Sequence, residues 1–397
     1  MSSIAITAND NFDFVRQIVE GSGISCELCL ASGQTLRFGD GAPQFTLRFH
    51  NDRLLRYAFD ETSFADAYVN GEFEIEGDIA AMIRLRRRIG DKVRASSWLK
   101  FIAMLLFRSE TKVNEQVINE HYQYGDELYL SFIDKKYRFY SQGIFHTENE
   151  TLEEASEHKL ENMYKALQLK PGMRLLDIGG GWGGVSQYCG SRGVRVTELT
   201  LAPDSWQYID RLIRENNWPC EVLLQDFLTF EPEQPFDAIV IYGVIEHIVN
   251  YRLFSQKIWR ALKPDGRLFL DASATVVKYD VSGFMRKYVW HGTHTYLCLQ
   301  DLIRELLFSG MEVLRVENES VHYARTMHHW ARRLEENREA IIARWGERLY
   351  RAFRLYLWGG AQAFPDLLQA YHLVARRMEN PLPPLGPIRR LLGWIGR

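Results

Sequence analysis

An α/β fold, a doubly wound sheet behind a small N-terminal α+β domain, is what these 397 residues predict. Three observations carry it. The run Leu175-Leu176-Asp177-Ile178-Gly179-Gly180-Gly181-Trp182-Gly183-Gly184 reads as a buried strand that ends at an acid and breaks into glycines before a helix. From Lys170 to about Glu319, strand-like and helix-like segments alternate, which is the rhythm of βαβ units. Residues 24–60 instead alternate apolar and polar in short bursts, with Gly33, Gly39, Asp40 and Gly41 as turn signals.

In chain order, Leu36-Arg-Phe-Gly and Phe45-Thr-Leu-Arg-Phe suggest hairpin strands, and Ser63 to Arg88 reads as helix and loop. Residues 106–165 read as helices and loops rich in Tyr and acids. The expected sheet strands are Met173–Ile178, Arg195–Thr200, Cys220–Leu224, Phe236–Tyr242, Arg267–Asp271 and Met311–Glu317. Residues 325–378 read as one or two amphipathic helices, and Pro381, Pro383, Pro384 and Pro387 then break the chain. The expected divisions are an accessory domain over 1–105, for lipid, membrane or dimer contact, a catalytic domain over 106–378, and a basic apolar tail over 379–397.

The composition, 46% hydrophobic and 25% charged, is that of a globular protein. A net charge of −3 provides no global field for nucleic acid. Five irregularly placed Cys suggest a reducing compartment, the opening residues lack a charged-then-apolar leader, and no apolar run is long enough to span a bilayer; the expectation is a cytoplasmic protein.

Gly179, Gly181 and Gly184 satisfy G-x-G-x-x-G, and Glu198 lies where a ribose-binding acid belongs, so a dinucleotide enzyme is one reading. The context favours another. Asp177 can hold the cationic end of an amino acid, which a nicotinamide dinucleotide lacks. Gln225-Asp226-Phe227, after the third strand, suits an adenine edge and face. Phe236–Tyr242 and the turn Leu262-Lys263-Pro264-Asp265-Gly266 complete a series that resembles the Rossmann-like class I S-adenosylmethionine-dependent methyltransferases.

The resemblance sharpens outside the nucleotide core. Glu120-His121-Tyr122, Gly125-Asp126-Glu127-Leu128-Tyr129, Tyr140-Ser141, Thr151-Leu152-Glu153-Glu154-Ala155, Leu169-Lys170-Pro171-Gly172, Ile245-Glu246-His247 and Tyr323 resemble the cyclopropane-fatty-acyl-phospholipid synthase family over residues 115–377. The resemblance implies methyl transfer from S-adenosyl-L-methionine to the double bond of an unsaturated acyl chain in a phospholipid. Proton loss would then give a cyclopropane, methyl-branched or methylene product. By position, Tyr140, Ser141, Gly179, Gly181 and Thr200 would contact the cofactor, and Glu246 and Tyr323 would organise the base. A small-molecule C- or N-methyltransferase of the same family is the alternative, and a non-catalytic lipid-binding protein a further one.

The chain departs from that family at its bicarbonate pocket. Gln142 stands where the family has Cys, and Asp271 where it has His. A second carboxylate near Glu246 would repel bicarbonate unless one acid is protonated. The expectation is therefore that Asp271 or Glu246 is itself the base and that no bicarbonate binds. Gly180 replaces a family Cys, and Ser205 a family Gln that reaches the ribose, with Glu198 as a candidate substitute.

Other constellations are read as structural. Cys26-x-x-Cys29 lacks further zinc ligands, His291-Gly-Thr-His294 lacks a third ligand, and no metal is expected. His328-His329 reads as helix packing or exposure. Tyr251, Phe284, Tyr288, Trp290 and Tyr296 read equally as core and as an aromatic wall around a cation. The basic stretch Arg84–Arg88 with Lys92, Arg94 and Lys100, the apolar Trp98–Phe107, and the tail Ile388–Arg397 fit docking on an anionic bilayer face, or solvated and packed segments. The expected partners are an unsaturated acyl phospholipid, a membrane surface in peripheral contact and, for oligomerisation, a second copy of the chain.

Overall fold

The computed structural model describes residues 8–52, 61–88, 125–290 and 294–379. Two compact units emerge: one comprises 1–103, 281–291 and 327–363, the other 104–280, 292–326 and 364–397. The expected 1–105 unit thus takes in two later segments.

The first unit holds a four-stranded sheet of β1 (Cys26–Cys29), β2 (Thr35–Phe38), β3 (Phe45–Phe49) and β4 (Phe73–Gly77), in the order β2-β1-β3-β4. The two strands expected to pair as a hairpin do not touch: β1 lies between them, antiparallel to β2 and parallel to β3. β4 was read as part of a helix-and-loop stretch. Its Phe73-Glu-Ile-Glu alternation buries Phe73 and Ile75 and turns the two acids outward. Phe73 sits among Phe49, Phe64 and Tyr68, with ring centroids 4.9–5.6 Å apart. The helix Glu347–Ala363 closes this core, where the buried Arg351 donates to the carbonyls of Tyr68 and Phe73 at 3.2 and 3.0 Å and pairs with Glu347 at 2.9 Å.

The second unit is built on a seven-stranded sheet in the order β10-β11-β9-β8-β5-β6-β7. β5 (Arg174–Ile178), β6 (Arg195–Thr200), β7 (Cys220–Leu224), β8 (Phe236–Tyr242) and β9 (Leu262–Ala274) run parallel. β8 is buried along almost all of its length, which is why it reads as the unbroken apolar run Ala-Ile-Val-Ile. β10 (Met311–Asn318) and β11 (Gln369–Arg377) are antiparallel additions. β11 falls in a stretch read as helical. It inserts between β9 and β10 and buries Ala370 and His372 to Ala375 without the alternation that marks a half-exposed strand.

The chain order reverses between β5 and β8, and the carboxyl ends of these strands form the crevice where doubly wound sheets bind ligands. Among the described residues, no helix is long and apolar enough to cross a membrane. Lys92, Arg94, Lys100, Trp98–Phe107, Glu120–Tyr122, His291 and the tail from 380 onward lie outside the described residues. Of the basic stretch, Arg86 pairs with Glu61 at 2.9 Å, and Arg88 donates to the carbonyls of Ile18, Glu20 and Gly21.

Candidate active site

The loop after β5 is shaped by backbone conformations that favour glycine. Gly179, Gly181 and Gly183 have φ of 87°, 54° and 77°. The N–H groups of Gly179 and Gly180 both donate to the Leu199 carbonyl at 2.9 Å, which ties the loop to β6. A Cβ on Gly179 would sit 2.3 Å from Val244 Cγ2, whereas one on Gly181 would meet nothing within 4 Å. The loop is therefore tight behind and open in front at Gly181. Gly179→Ala is expected to lower the melting temperature, because the left-handed backbone and the contact with Val244 act together.

Asp177, the penultimate residue of β5, is buried, and its Oδ1 has no hydrogen-bond partner among the described residues. Burial, then the neighbouring Glu198, push its carboxyl well above the usual range, with Lys159 opposing. An unpaired buried carboxyl is costly unless a cation completes it. The open face at Gly181 and this orphaned acid fit a donor with an α-ammonium group. Glu198 takes a different position. Its Oε1 accepts the Ser186 N–H at 3.0 Å, in the π-turn Ser186–Gly190, and its Oε2 lies 2.9 Å from where a Gly180 Cβ would be. The carboxyl, pushed up to about 7 by burial, thus lies against the loop at Gly180.

The segment leading to Tyr140 is organised by the buried Asp134, which accepts the N–H groups of Tyr137 at 2.6 Å and Phe139 at 2.7 Å. Arg138, at φ 62°, donates to the Trp182 carbonyl at 3.0 Å and to Gln187 Oε1 at 2.6 Å, joining this segment to the glycine loop. Tyr140 meets Tyr129 edge-on at 5.2 Å, and Tyr129 packs on Trp182 at 5.7 Å. Trp182 Nε1 donates to Asp126 at 2.7 Å.

Lys159 was not singled out from the sequence. It lies in the helix Leu152–Ala166, whose start is fixed by a reciprocal cap between Thr151 and Glu154. Only 2% exposed, its ammonium reaches Asp271 Oδ2 at 2.8 Å, donates to Ser141 Oγ at 2.5 Å, and lies 4.1 Å from the ring centroid of Tyr242. Asp271 Oδ1 accepts the N–H of Gly243, the residue following β8, at 3.0 Å. Asp271 is thus an ion-pair partner and a backbone anchor, and a buried cation offsets its charge. Its carboxyl is pushed up to about 6 by burial, with Lys159 opposing.

Gln142, next to Ser141, is also fully buried. Its Nε2 donates to Glu319 Oε2 at 2.8 Å, and Glu319 Oε1 meets His372 Nδ1 at 2.5 Å. Burial pushes Glu319 up, but the pairings with His372 and Gln142 hold it below the usual range. Asp271 is thus committed to Lys159 and Gly243, and Gln142 Nε2 to Glu319, while Gln142 Oε1 is buried with no partner among the described residues.

Glu246 lies on the short helical turn Ile245–His247 after β8. Ser273 holds its Oε1 twice, through N–H at 2.9 Å and Oγ at 2.8 Å. Its Oε2 is buried with no partner among the described residues. Burial pushes this carboxyl up to about 7, with the Ser273 bonds opposing and Asp271 adding to the rise. His247, pushed down to about 4 by burial, is neutral and meets His294 edge-on at 5.1 Å. Tyr323 is half-buried and stacks on Phe364 at 4.6 Å.

Thr200, the last residue of β6, and the residues after β7 are also tied into their local turns. Thr200 Oγ1 accepts the Ala202 N–H at 3.2 Å, and its carbonyl accepts from Gln225 at 3.0 Å. Asp226 Oδ1 caps the following turn through the Leu228 N–H at 2.8 Å, and Phe227 is a buried core residue edge-on to Phe254. The aromatic group is divided: Phe284, Tyr288 and Trp290 belong to the first unit, Tyr251 and Tyr296 to the second. Cys26 and Cys29, three apart on a strand, point to opposite faces and cannot chelate one ion together. His328 meets Trp358 edge-on at 5.2 Å, a packing role.

Residues 109–372 match the sequence model of the family described as mycolic acid cyclopropane synthetase. A probable fatty acid methyltransferase of Pseudomonas putida is 28% identical over 312 residues, covering 75% of this chain and 77% of that protein. The sphingolipid C9-methyltransferase of Komagataella phaffii is 25% identical over 403 residues, covering 91% and 82%. Among solved structures, the cyclopropane synthase MmaA2 of Mycobacterium tuberculosis is 26% identical with a TM-score of 0.62, covering 66% of this chain and 98% of that one. A coclaurine N-methyltransferase with a TM-score of 0.64 and 21% identity shares the fold, covering 79% and 99%.

Proposed function

This chain belongs to the mycolic acid cyclopropane synthetase family and is an S-adenosylmethionine-dependent methyltransferase, and from that premise we propose that it methylates the double bond of an unsaturated acyl chain carried by a phospholipid. The observation that carries the proposal is Glu246: a fully buried carboxylate, held by one oxygen, with the other oxygen unpaired and a proton affinity tuned to about neutrality. Such a group serves a reaction that ends by removing a proton in a dry place. Amine methylation can also use a base, to free the lone pair of a protonated amine, and the lipid readout below separates the two.

S-adenosylmethionine supplies an electrophilic methyl group that alkene π electrons can take up. Asp177 is assigned to its ammonium, and the open face at Gly181 to its main-chain contact. Tyr140, Ser141 and Thr200 complete the side chains assigned to it. The protein's own task follows the transfer, which leaves a cationic carbon on the acyl chain. Glu246 Oε2 accepts the proton that this cation must lose. Loss from the new methyl closes a ring or, after a hydride shift, gives an exocyclic methylene. Loss from a neighbouring chain carbon leaves a methyl branch. Tyr323 is assigned to the same acceptor region. Asp271, committed to Lys159 and Gly243, positions the surrounding backbone. The reading uses no bicarbonate: where the resemblance calls for its ligands, Gln142 and Asp271 bind Glu319 and Lys159. Peripheral contact with a membrane surface is part of the proposal, because the target double bond starts inside a bilayer.

The test is mass spectrometry of lipids from a host expressing the chain and fed methionine deuterated on its methyl group. The expected result is a new labelled acyl species within phospholipids. Two retained deuterons indicate a ring or an exocyclic methylene, and three indicate a methyl branch. Absence of any labelled acyl lipid overturns the proposal.

A further inference from the structure

A second cluster of chemistry-bearing side chains lies beside the segment that carries Ser141 and Gln142. His146, Glu150 and His158 each offer one ligand atom, and these three atoms lie within 4.8 Å of one another. The two imidazoles are stacked, with centroids 4.0 Å apart and planes 17° from parallel. Glu150 Oε2 lies 3.6 Å from His158 Nδ1 and accepts the main-chain N–H of His146 at 2.6 Å. Burial pushes Glu150 up, but the N–H groups of His146 and Thr147 prevail and hold it below the usual range, as an anion. His158 Nδ1 lies 3.3 Å from the Ile144 carbonyl.

The scaffold is firm on both sides. The Thr151–Glu154 cap sets where the helix starts, and His158 stands about two turns into it. The Ile144 N–H donates to the Ala155 carbonyl at 2.9 Å, which pins the loop onto that helix. Arg325 holds the far part of the loop through the carbonyls of Thr147 and Glu148. His146 is exposed while Glu150 and His158 are half-buried, so the cluster has an open side.

We propose that His146, Glu150 and His158 form a binding site for a divalent transition-metal ion of the zinc type, its fourth position taken by water. Two imidazoles and one carboxylate are the donor set that zinc accepts, whereas magnesium and calcium require mainly oxygen. Zinc–ligand bonds of about 2.0–2.1 Å place tetrahedral ligand atoms about 3.3 Å apart, so binding requires side-chain rotation that closes the distance and turns the stacked rings out of parallel, which the exposed His146 is free to do. The ion would fasten the loop four residues beyond Gln142 to the helix position next to Lys159. This site is independent of the acyl-methylation reading, since neither its residues nor its test involve methyl transfer.

The test uses the full chain, untagged and stripped with a chelator, titrated with Co2+ and then Zn2+. One equivalent of Co2+ is expected to develop the visible absorption of a four-coordinate ion with nitrogen and oxygen donors. Zn2+ should displace it and raise the melting temperature, while Mg2+ does neither. His146→Ala removes an exposed ring and should lower the Co2+ affinity at least tenfold. Glu150→Gln should act in the same direction, and the melting curves of both variants without metal establish that they fold. Lack of a signal, a signal unchanged in His146→Ala, or strong near-ultraviolet thiolate-to-cobalt bands indicating Cys29 or another thiol overturns the proposal.

Discussion

Glu246→Gln is expected to reduce product formation by about 10²–10⁴-fold, the usual contribution of a positioned base, while S-adenosylhomocysteine binding measured by calorimetry stays within about threefold of the parent. Glutamine preserves the shape and the bonds that Ser273 donates to Oε1, but it cannot accept the proton. The pH dependence provides the sharper check. The carboxyl is pushed up to about 7, so the ionised, basic form grows as pH rises through that value. Product formation by the parent should therefore climb toward pH 7 and level off above it, and the residual rate of the variant should lack that step. Stability runs the other way. A carboxyl with a higher pKa folded than unfolded binds its proton more tightly in the folded state. Its stabilising contribution is complete below about 4.5 and is lost as pH rises through about 7. Glu246→Gln should thus gain stability relative to the parent above pH 7 and gain little at pH 4. An identical pH step in both proteins would remove Glu246 from the proton transfer.

Lys159→Met should produce the largest loss of stability, about 3–5 kcal/mol in urea unfolding at pH 8, because it leaves Asp271 buried without its cation. The loss should shrink in acid. Asp271 is already pushed up to about 6 with the lysine present, and without it the carboxyl can avoid the penalty by taking a proton. The raised folded value means that stability falls as pH rises through it, and in the variant this fall extends to higher pH. The double variant Lys159→Met with Asp271→Asn removes both charges but retains an acceptor for the Gly243 N–H. It should recover most of the stability, and a double-mutant cycle measures the coupling. Methyl transfer should recover far less, because Ser141 still lacks its ammonium partner. Equal recovery of both would reduce Lys159 to a structural element.

The parallel sheet was legible because its strands are apolar runs separated by amphipathic helices, and the glycine loop because only glycine tolerates its backbone. β4 and β11 were harder for opposite reasons. Phe73-Glu-Ile-Glu is a short alternation next to helical residues, whereas the middle of β11 is buried on both faces and contains a histidine whose partners, Glu319 and Glu317, lie far from it in sequence. The hairpin was misassigned because local turn signals do not report that β1 is inserted between its neighbours. Glu246 could be found from its resemblance to a known element. Lys159 was missed because a lysine on an amphipathic helix is usually solvated. A signal was nevertheless present: it stands on the same stripe as Leu152, Ala155, Ser156 and Met163, all buried. That stripe places a cation against Asp271, which accounts for an aspartate at this buried position. A partner more than a hundred residues away is a property of the fold, not of spacing.

The contact between Gly180 and Glu198 has a consequence for how this chain can vary. The absent side chain at 180 is the space that the Glu198 carboxyl fills, with its oxygen 2.9 Å from where a Cβ would be. The two sites therefore trade volume: a larger residue at 180 requires a shorter or displaced one at 198. Neither can drift alone, so among close orthologues these positions should change as a linked pair.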